Sequence, residues 1–416
     1  MVVGKSIIPR ERESEEVFGL AELALSQLSF DGKRVLVIVP DTTRHARLPL
    51  FYKLLYTILG PRVRSLDVLV ATGTHRPMEM ERIHAHLGMS GDEHRSAYTK
   101  TKFYNHAHDD PKQLRVIGTI SASEMSTLSQ GLFNEPVDIT VNKRIFQYDH
   151  LILLSPVVPH ETVGFSGGNK YFFPGIGGSE IIQTFHWIGA LITNPVVNGV
   201  KDTLVRRVID RSAQFVHVPT LCFAYVVDEH AVASLFIGSP EESWSLAADC
   251  SMKAHIKYVD HPYKRVLGIA PSIYEDIWVA GKVMYKHEPI IADGGEVIIY
   301  APHITELSYT HGNAIKKIGY HVRDYFVKQW DRFSKMPKLI LAHSTNVRGI
   351  GSFENGVEVP RIKVTLATAI PKEVCNGVNL DYVDPRDVDI AQWKDRQNGD
   401  ELVVENAGQL LYRLKE

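Results

Sequence analysis

Short, uninterrupted apolar runs, each followed at once by polar residues, are the feature that most restricts how this chain folds. Three such runs lie at 33–39, 66–71 and 150–158. A short, continuously apolar run is typical of a strand that is buried on both faces, as in a parallel sheet. Stretches with helical spacing of apolar residues lie at 49–59 and 78–87. The alternation predicts an α/β fold whose sheet is largely parallel and flanked by helices.

The length of the chain, 416 residues, exceeds what one ordinary core accommodates and predicts two domains, each with a largely parallel sheet. We expect an N-terminal domain at 1–262, a C-terminal domain at 263–395, an active site in the cleft between them, and a tail at 396–416 that packs back on the N-terminal domain. Further strands are predicted at 114–117, 137–141, 264–270, 296–301, 338–342 and 361–367. The polar stretch 384–400 is expected to be a loop, followed by a strand and then a helix.

Composition narrows the class of protein. Hydrophobic residues make up 44% and charged residues 23% of the chain, with a formal net charge of −2. This balance gives no electrostatic case for binding nucleic acid or an anionic membrane. The three cysteines are scattered, which argues against a disulfide framework and against a thiolate metal site. With no signal peptide and no long apolar run in this sequence, we expect a cytoplasmic protein.

Polar clusters follow three of the predicted strands. They are Asp41-Thr42-Thr43-Arg44, Gly73-Thr74-His75-Arg76-Pro77 and Pro159-His160. Ligands of open parallel sheets bind at the carboxyl ends of the strands, so these side chains are expected to converge there, together with Lys170. Any one of them alone is more often a helix cap or a hydrogen-bonded loop residue, but three clusters at equivalent positions favour a site.

A glycine-rich turn, Gly164-Phe165-Ser166-Gly167-Gly168-Asn169-Lys170, follows the third cluster. Glycines allow backbone N–H groups to approach a phosphate or carboxylate closely, and the lysine supplies a counter-charge or a nucleophile. The turn is not a P-loop, since Tyr171 stands where Ser or Thr is required. No Gly-x-Gly-x-x-Gly follows the first strand, which disfavours conventional dinucleotide binding.

Two other segments have alternative interpretations. His106, His108 and Asp110 resemble part of a dinuclear metal-hydrolase motif, although Pro111 stands at one ligand position. In the second block, Trp278 and Lys282 lie four residues apart, at a spacing that shares one helical face. An aromatic plate beside an ammonium suits a carboxylate substrate, and a lysine packed on a core tryptophan is the equally weighted alternative. A protein that only binds a phosphorylated metabolite through the glycine turn is a third possibility.

Taken together, these segments resemble the nickel-pincer-nucleotide-dependent lactate racemase family. The similarity runs through Asp41–Arg44, Ala71–Pro77 and Pro159–Gly175, and on to a downstream histidine, His186. It covers roughly the first half of the chain with specific motifs in order, and continues more loosely around Trp278 and Lys282.

The resemblance implies a cofactor and a set of roles. The cofactor is a nickel-bearing mononucleotide, pyridinium-3-thioamide-5-thiocarboxylic acid mononucleotide, attached covalently through Lys170. His75 and His160 would be the acid–base pair and His186 the nickel ligand. The resemblance further implies cofactor contacts from Asp41, Ser166, Gly167 and Gly168, and substrate contacts from Arg44, Trp278 and Lys282. Cofactor-maturation proteins are the implied partners.

The activity implied is inversion of C2 of a 2-hydroxy acid by proton-coupled hydride transfer. Two histidines suit this chemistry, because each serves one enantiomer and works near neutral pH. This chain departs from the lactate-using members in having Trp278-Val279 where they tend to have Tyr-Gln. The departure predicts a substrate larger or more hydroxylated than lactate, such as an aldonate.

Overall fold

The computed structural model describes residues 2–43, 46–395 and 399–415. Its strands are β1 Val3–Lys5, β2 Arg34–Val39, β3 Ser65–Val70, β4 Phe103–Asn105, β5 Leu114–Ile120, β6 Val137–Asn142, β7 His150–Pro156, β8 Pro159–His160, β9 Gly164–Phe165, β10 Thr220–Asp228, β11 Ala231–Gly238, β12 Ile256–Val259, β13 Tyr263–Ile269, β14 Ile291–Ala301, β15 Gly351–Glu354, β16 Val357–Pro360, β17 Lys363–Thr368, β18 Asp381–Tyr382, β19 Glu401–Val404 and β20 Leu411–Leu414.

The α-helices are α1 Glu13–Ser26, α2 Leu48–Leu59, α3 Met80–His86, α4 Gly91–Ser96, α5 Ala122–Leu128, α6 Ser179–Ile192, α7 Asn194–Val197, α8 Leu204–Ala213, α9 Pro240–His255, α10 Ile277–Ala280, α11 Lys282–His287, α12 Gly312–Ile318, α13 Arg323–Val327, α14 Trp330–Phe333, α15 Lys338–Arg348, α16 Lys372–Gly377 and α17 Ile390–Asp395. Short 3₁₀ turns lie at Arg10–Arg12, Lys143–Gln147, Gly168–Tyr171, Glu288–Ile290 and Pro385–Asp387. Among the described helices, none is both long and apolar enough to cross a bilayer.

The described residues divide into two units. Unit 1 is built from Met1–Val158, Phe165–Ile182 and Arg206–Ala254, and unit 2 from Pro159–Gly164, Gln183–Val205 and His255–Glu416. Helices α6 and α8 therefore continue from one unit into the other. The predicted boundary at residues 262 and 263 stays a prediction.

Unit 1 is organised around a sheet with the strand order β1-β11-β10-β7-β2-β3-β4. The strands from β10 to β4 are parallel, and β11 and β1 add antiparallel at the edge. The strands β2, β3 and β7 are buried almost throughout. The continuous apolar runs therefore form the centre of the sheet, as predicted.

Unit 2 contains the sheet β18-β17-β14-β13-β19, in which each neighbouring pair is parallel. Strand β20 pairs separately with β12, also in parallel. The predicted fold class, α/β with largely parallel sheets flanked by helices, is confirmed. The expected helix at the end of the chain is wrong, since β20 is a strand, and α17 occupies part of the expected loop at 384–400.

Two other predictions about strands are wrong. The runs at 114–117 and 137–141 do not join the parallel sheet; β5 and β6 form an antiparallel hairpin. Exposure alternates along the first residues of β6, and β5 is at least partly exposed at every residue before Ile120, which is typical of an antiparallel pair with one solvated face. The run at 338–342 begins helix α15, which is buried from Leu339 to Val347 and ends at Gly349 with φ of +84°. A short apolar run does not separate a strand from a buried helix, and the glycine stop lay further along the chain.

Candidate active site

Residues after strands β2 and β3 come together in unit 1. His75 Nδ1 lies 2.5 Å from Asp41 Oδ2, and Asp41 is 7% exposed. The other carboxylate oxygen of Asp41 accepts hydrogen bonds from the hydroxyl and the N–H of Thr43, at 2.6 and 3.1 Å. A carboxylate facing Nδ1 assigns the ring proton to that nitrogen, so Nε2 of His75 is the nitrogen available for proton transfer. Arg44 lies outside the described residues.

The loop that carries His75 is tied to the segment after Lys170. The N–H of Gly73 donates to the carbonyl of Gly175 at 3.0 Å, and the N–H of Gly175 donates to the carbonyl of Lys170 at 3.1 Å. Unit 1 therefore brings His75 and the lysine turn into the same neighbourhood, although the two are far apart in sequence.

Lys170 lies on a 3₁₀ turn whose other members are buried. Lys170 itself is partly exposed, between Asn169 at 2% and Tyr171 at 6%. The amide of Asn169 donates to Asp210 at 3.0 Å and to Glu241 at 2.7 Å, and these two hydrogen bonds anchor the turn. The buried neighbours fix the backbone of the turn, and Lys170 is the partly exposed residue between them.

The glycine turn before Lys170 is shaped by packing. Gly167 and Gly168 have φ of +88° and +59°, a region that side chains with a Cβ rarely adopt. The N–H of Gly168 donates to Ser155 Oγ at 2.8 Å, and the N–H of Ser166 donates to the carbonyl of Val158 at 2.8 Å. The amides of Ser166 and Gly168 are thus already bonded within the protein and are not available to a phosphate at this turn.

We expect Gly167→Ala to destabilise the protein by about 2 to 4 kcal/mol. An added Cβ lies 2.8 Å from both Ser155 Oγ and Val157 Cγ2, so overpacking adds to the strain of the positive φ. Gly131→Ala is the matched control, because Gly131 has φ of +84° and open space around it. Denaturant unfolding measures both variants, and equal losses of stability would show that packing at Gly167 contributes nothing.

The second predicted histidine lies in unit 2 with a carboxylate of its own. His160 Nδ1 accepts a hydrogen bond from the N–H of Thr162 at 3.2 Å, and Glu161 Oε2 lies 3.2 Å from the same nitrogen. Lys286, which is 3% exposed, donates to the carbonyl of Pro159 at 2.8 Å. The strand that carries His160 is thereby held to helix α11, the helix that begins with Lys282.

Helix α6, which carries His186, packs against the same loop. A Cβ on Gly189, one turn after His186, would lie 2.7 Å from Thr162 Cγ2. The His186 ring stacks on Phe185, with centroids 4.6 Å apart. Unit 2 therefore assembles three sequence-predicted residues, His160, His186 and Lys282, on adjoining elements.

Trp278 lies among histidines that the sequence did not single out. Its ring is stacked on His343, with centroids 4.0 Å apart and planes 29° apart, and contacts His311 at 4.4 Å. Burial, and after it the neighbouring His311 and His186, lower the pKa of His343 to about 3. His343 is therefore a neutral ring near neutral pH, close enough to His186 to interact with it.

Lys282 does not pair with Trp278 in the way the helical spacing predicts. The helix breaks at Gly281, so that Trp278 lies on α10 and Lys282 begins α11. The Lys282 ammonium lies 5.1 Å from the centroid of the Tyr274 ring. The two side chains thus make different ring contacts, Trp278 with His343 and Lys282 with Tyr274, while Gly281 between them keeps helical φ and ψ.

The alternative metal site finds no support in the described part of the chain. Both ring nitrogens of His106 are engaged, Nε2 with the carbonyl of Gly177 at 2.8 Å and Nδ1 with the amide of Asn142 at 3.2 Å. Burial lowers the pKa of His106 to about 4. No three His, Cys, Asp or Glu side chains converge as metal ligands within the residues described. His106 is a buried histidine that connects loops.

Comparison with known proteins gives the family. A family model described as the lactate racemase N-terminal domain matches residues 19–197. A Thermotoga maritima protein of known crystal structure is 32% identical to this chain, with 99% of each chain covered and a TM-score of 0.89. Curated lactate racemases from Thermoanaerobacterium thermosaccharolyticum and Lactiplantibacillus plantarum are 24% and 22% identical over 284 residues. The chain belongs to the lactate racemase family.

Within the family the curated relatives are distant. The matched region covers 67% of this chain and spans 62% of the length of each curated lactate racemase. The apoprotein structure of the Thermoanaerobacterium lactate racemase has a TM-score of 0.71 at 18% identity, covering 98% of this chain and 96% of that one. At that identity the likeness shows a shared fold.

Glu161 and His343 are the site residues that sequence reasoning missed. Glu161 directly follows His160, so the His-Glu pair was itself a signal for a carboxylate beside the ring. His343 lies just beyond the run that was read as a strand at 338–342. A helical interpretation extended to Gly349 would have placed His343 inside a buried helix.

Proposed function

We propose that this chain is a racemase or epimerase that inverts C2 of a 2-hydroxy acid by proton-coupled hydride transfer, with a nickel-pincer nucleotide as cofactor. The observation that supports this most directly is that Asp41 is hydrogen-bonded to Nδ1 of His75 and that a second histidine, His160, has Glu161 Oε2 3.2 Å from its Nδ1, which accepts from the N–H of Thr162. A carboxylate at Nδ1 orients the ring and stabilises the imidazolium that forms when Nε2 takes a proton. Two such histidines match a reaction in which each enantiomer needs its own base.

Some of the residues expected to hold the cofactor are suited to that role, and others are already bonded within the protein. Lys170 presents a partly exposed amine on an anchored turn, and His186 presents a partly exposed imidazole, a ligand type suited to nickel. Lys170 would hold the cofactor through a thioamide and His186 would ligate the metal. Of the predicted phosphate contacts from Ser166, Gly167 and Gly168, the amide of Gly167 remains for that role. When bound, the cofactor would supply the acceptor for the C2 hydride.

The chain's own side chains would move the proton. Nε2 of His75 removes the proton of the C2 hydroxyl from one enantiomer, and Asp41 stabilises the resulting imidazolium at Nδ1. His160 would serve the other enantiomer, with the negative charge of Glu161 beside its ring, so each histidine starts one direction of the reaction and completes the other. Asp41 thus becomes a positioning residue for His75 in this scheme, in addition to its predicted proximity to the cofactor.

The substrate carboxylate would be bound by cations, and its remaining chain by Trp278. Lys282 supplies one cation and Arg44, outside the described residues, the other. With Trp278-Val279 in place of a tyrosine and an amide, the site is proposed to accept a 2-hydroxy acid other than lactate, such as an aldonate. A cytoplasmic location and cofactor-maturation partners belong to the same proposal.

Intact mass under denaturing conditions, with nickel content before denaturation, tests this proposal. The protein is co-expressed with pincer-cofactor maturation enzymes beside a working control racemase. A mass increment on Lys170 and nickel near one per chain are expected, followed by interconversion of 2-hydroxy acid enantiomers. If the protein has an unmodified mass and no nickel while the control racemase is active, the proposal is wrong.

We expect Glu161→Gln to lower kcat by about 10-fold or more in both directions, because His160 starts one direction and completes the other. The amide keeps the size of the side chain but removes the charge that stabilises the His160 imidazolium. Chiral chromatography of progress curves from each pure enantiomer measures both directions. Glu180→Gln, at an exposed acid near the start of α6, is the control. Unchanged kcat in Glu161→Gln would remove this carboxylate from the mechanism.

A further inference from the structure

A cavity of about 490 Å³ lies at the amino ends of three strands of unit 1, and we call it the amino-end cavity. Its lining includes Arg34 at the start of β2, Ser65 at the start of β3 and Lys102 directly before β4. These strands are neighbours in the sheet, and Arg34 is paired with Ser65. Cavities of this size hold small ligands.

The amino-end cavity is separate from Asp41 and His75. Strands β2 and β3 each have six residues, so their two ends lie roughly 17 Å apart. Asp41 and His75 follow the carboxyl ends of these strands, whereas the cavity lies at the amino ends. A small ligand in the cavity is therefore at the opposite edge of the sheet from those two side chains.

Four cations line the cavity against one carboxylate, which gives the lining a net charge of +3. Two of the cations have partners within the protein. Lys100 Nζ donates to the carbonyls of Gly60 and Val63, at 2.8 and 2.9 Å. Arg34 Nε lies 3.4 Å from a carboxylate oxygen of Asp149, which does not line the cavity. With Asp149 counted, the balance of charge remains positive.

The other two cations, Arg64 and Lys102, have no counter-charge in the described part of the chain. They directly precede the neighbouring strands β3 and β4, and both residues are exposed. Neither side chain forms an ion pair or a hydrogen bond with a described residue. A phosphate monoester carries about two negative charges at pH 7, so two uncompensated cations match it in charge. The pair therefore favours a phosphate group over a single carboxylate.

The carboxylate in the lining is buried and is held by neutral donors. Asp67 is 6% exposed, and its two oxygens accept from the N–H of Lys102 and the hydroxyl of Tyr148, each at 2.7 Å. A carboxylate accepts up to about four hydrogen bonds. The capacity that remains suits the hydroxyl groups of a ligand, and the negative charge repels a second anionic group.

The rest of the lining is polar. It consists of Ser65, Thr99, Tyr104, Gln147 and Tyr148. Among the described residues, no aliphatic side chain lines the cavity. Hydroxyl and amide groups exchange hydrogen bonds with a polyol, whereas an alkyl chain would meet little apolar surface and would leave polar groups without partners.

We propose that the amino-end cavity is a binding site for a phosphorylated polyol or sugar. Arg64 and Lys102 bind the phosphate, and Asp67 accepts from hydroxyl groups of the chain. Arg34 and Lys100 add positive charge that attracts the anion. The site is additional to the candidate active site, and the inference does not depend on the proposed function.

The first test measures binding by isothermal titration calorimetry on the cofactor-free full chain at low ionic strength, where screening is weakest. The probes are sorbitol 6-phosphate, hexyl phosphate and inorganic phosphate. We expect the Kd of sorbitol 6-phosphate to be lower than that of either other probe by about 10-fold or more, because only its chain donates hydroxyl groups. Absence of binding by sorbitol 6-phosphate would overturn the inference, and so would equal or tighter binding of either other probe.

The second test removes the two cations that lack partners. Arg64→Ala and Lys102→Ala should each raise the Kd of sorbitol 6-phosphate by about 10-fold, since each loses one charge-assisted hydrogen bond. Both residues are exposed and without ion pairs, so the variants should unfold at the wild-type Tm. Lys253→Ala is the matched control, because Lys253 is an exposed lysine on α9 outside this cavity. Unchanged affinity in a folded Arg64→Ala/Lys102→Ala double variant would exclude the site.

A third variant separates this site from the glycine turn, the other place in unit 1 where a phosphate was expected. Lys170→Ala should bind sorbitol 6-phosphate as tightly as the wild type. If Lys170→Ala loses the probe while Arg64→Ala retains it, the phosphate binds at the glycine turn and the inference is wrong. Binding is measured without turnover, so each result holds whether or not the protein proves to be a racemase.

Discussion

His75→Ala is expected to lower the rate of interconversion at C2 by about 10² to 10⁴-fold while the cofactor stays attached to Lys170. The variant removes the ring that Asp41 orients, and with it one of the two bases proposed for the reaction. It leaves the lysine turn, which is anchored separately by Asn169, in place. Chiral chromatography measures the rate, and intact mass measures retention of the cofactor.

His217→Ala is the control, since His217 is an exposed histidine in the same unit. It should match the wild type in rate and in mass. His160→Ala should behave like His75→Ala, because the reaction needs a base for each enantiomer. Full activity in either active-site variant would remove that histidine from the mechanism. Full retention of metabolite binding with no measurable turnover in the wild type would favour the alternative of a binding protein.

Lys170→Ala should abolish both covalent attachment and activity. The amine of Lys170 is the nucleophile that a thioamide tether requires, and no other residue of the turn carries one. Loss of the mass increment under denaturing conditions is the direct readout. The expected fall in activity is at least about 10³-fold, since a weakly held cofactor is lost on purification.

Lys170→Arg separates charge from tethering. It keeps a cation on the turn but has no amine that forms a thioamide, so it should also lack the mass increment. A covalent adduct that survives denaturation in either variant would refute the tether at this position. Unchanged thermal stability of both apo-proteins is the accompanying control, because Lys170 is partly exposed and the neighbouring side chains are the buried ones.

The central strands were predictable because a strand that is buried on both faces needs apolar side chains at consecutive positions. The runs that become β2, β3 and β7 are mainly apolar, with Asp67 inside β3 and Ser155 inside β7, and each forms an interior strand of the unit 1 sheet. The pair β5–β6 and helix α15 were misassigned because their sequences also contain short apolar runs. A short apolar run carries no information about its partner, and pairing decides whether it becomes a parallel strand, a hairpin or a buried helix.

The site residues that directly follow strands of the parallel sheet were predictable from the sequence. The rule that ligands bind at the carboxyl ends of parallel strands led to Asp41 and His75, which the structure brings within 2.5 Å of each other. The rule gave no role to Glu161, His311 or His343. Their significance depends on a ring or a carboxylate contributed by another segment, which local patterns do not encode.

The sequence by itself determined which segments form the sheet centres and which polar residues follow them, because periodicity and turn chemistry are properties of neighbouring residues. Only the tertiary structure decided that Asp41 faces Nδ1 of His75, that the amides of Ser166 and Gly168 are already bonded, and that Trp278 stacks on His343. Hydrogen bonds and ring contacts of this kind join residues far apart in the chain. Their geometry follows from how whole elements pack, and a one-dimensional pattern carries no distance between such elements.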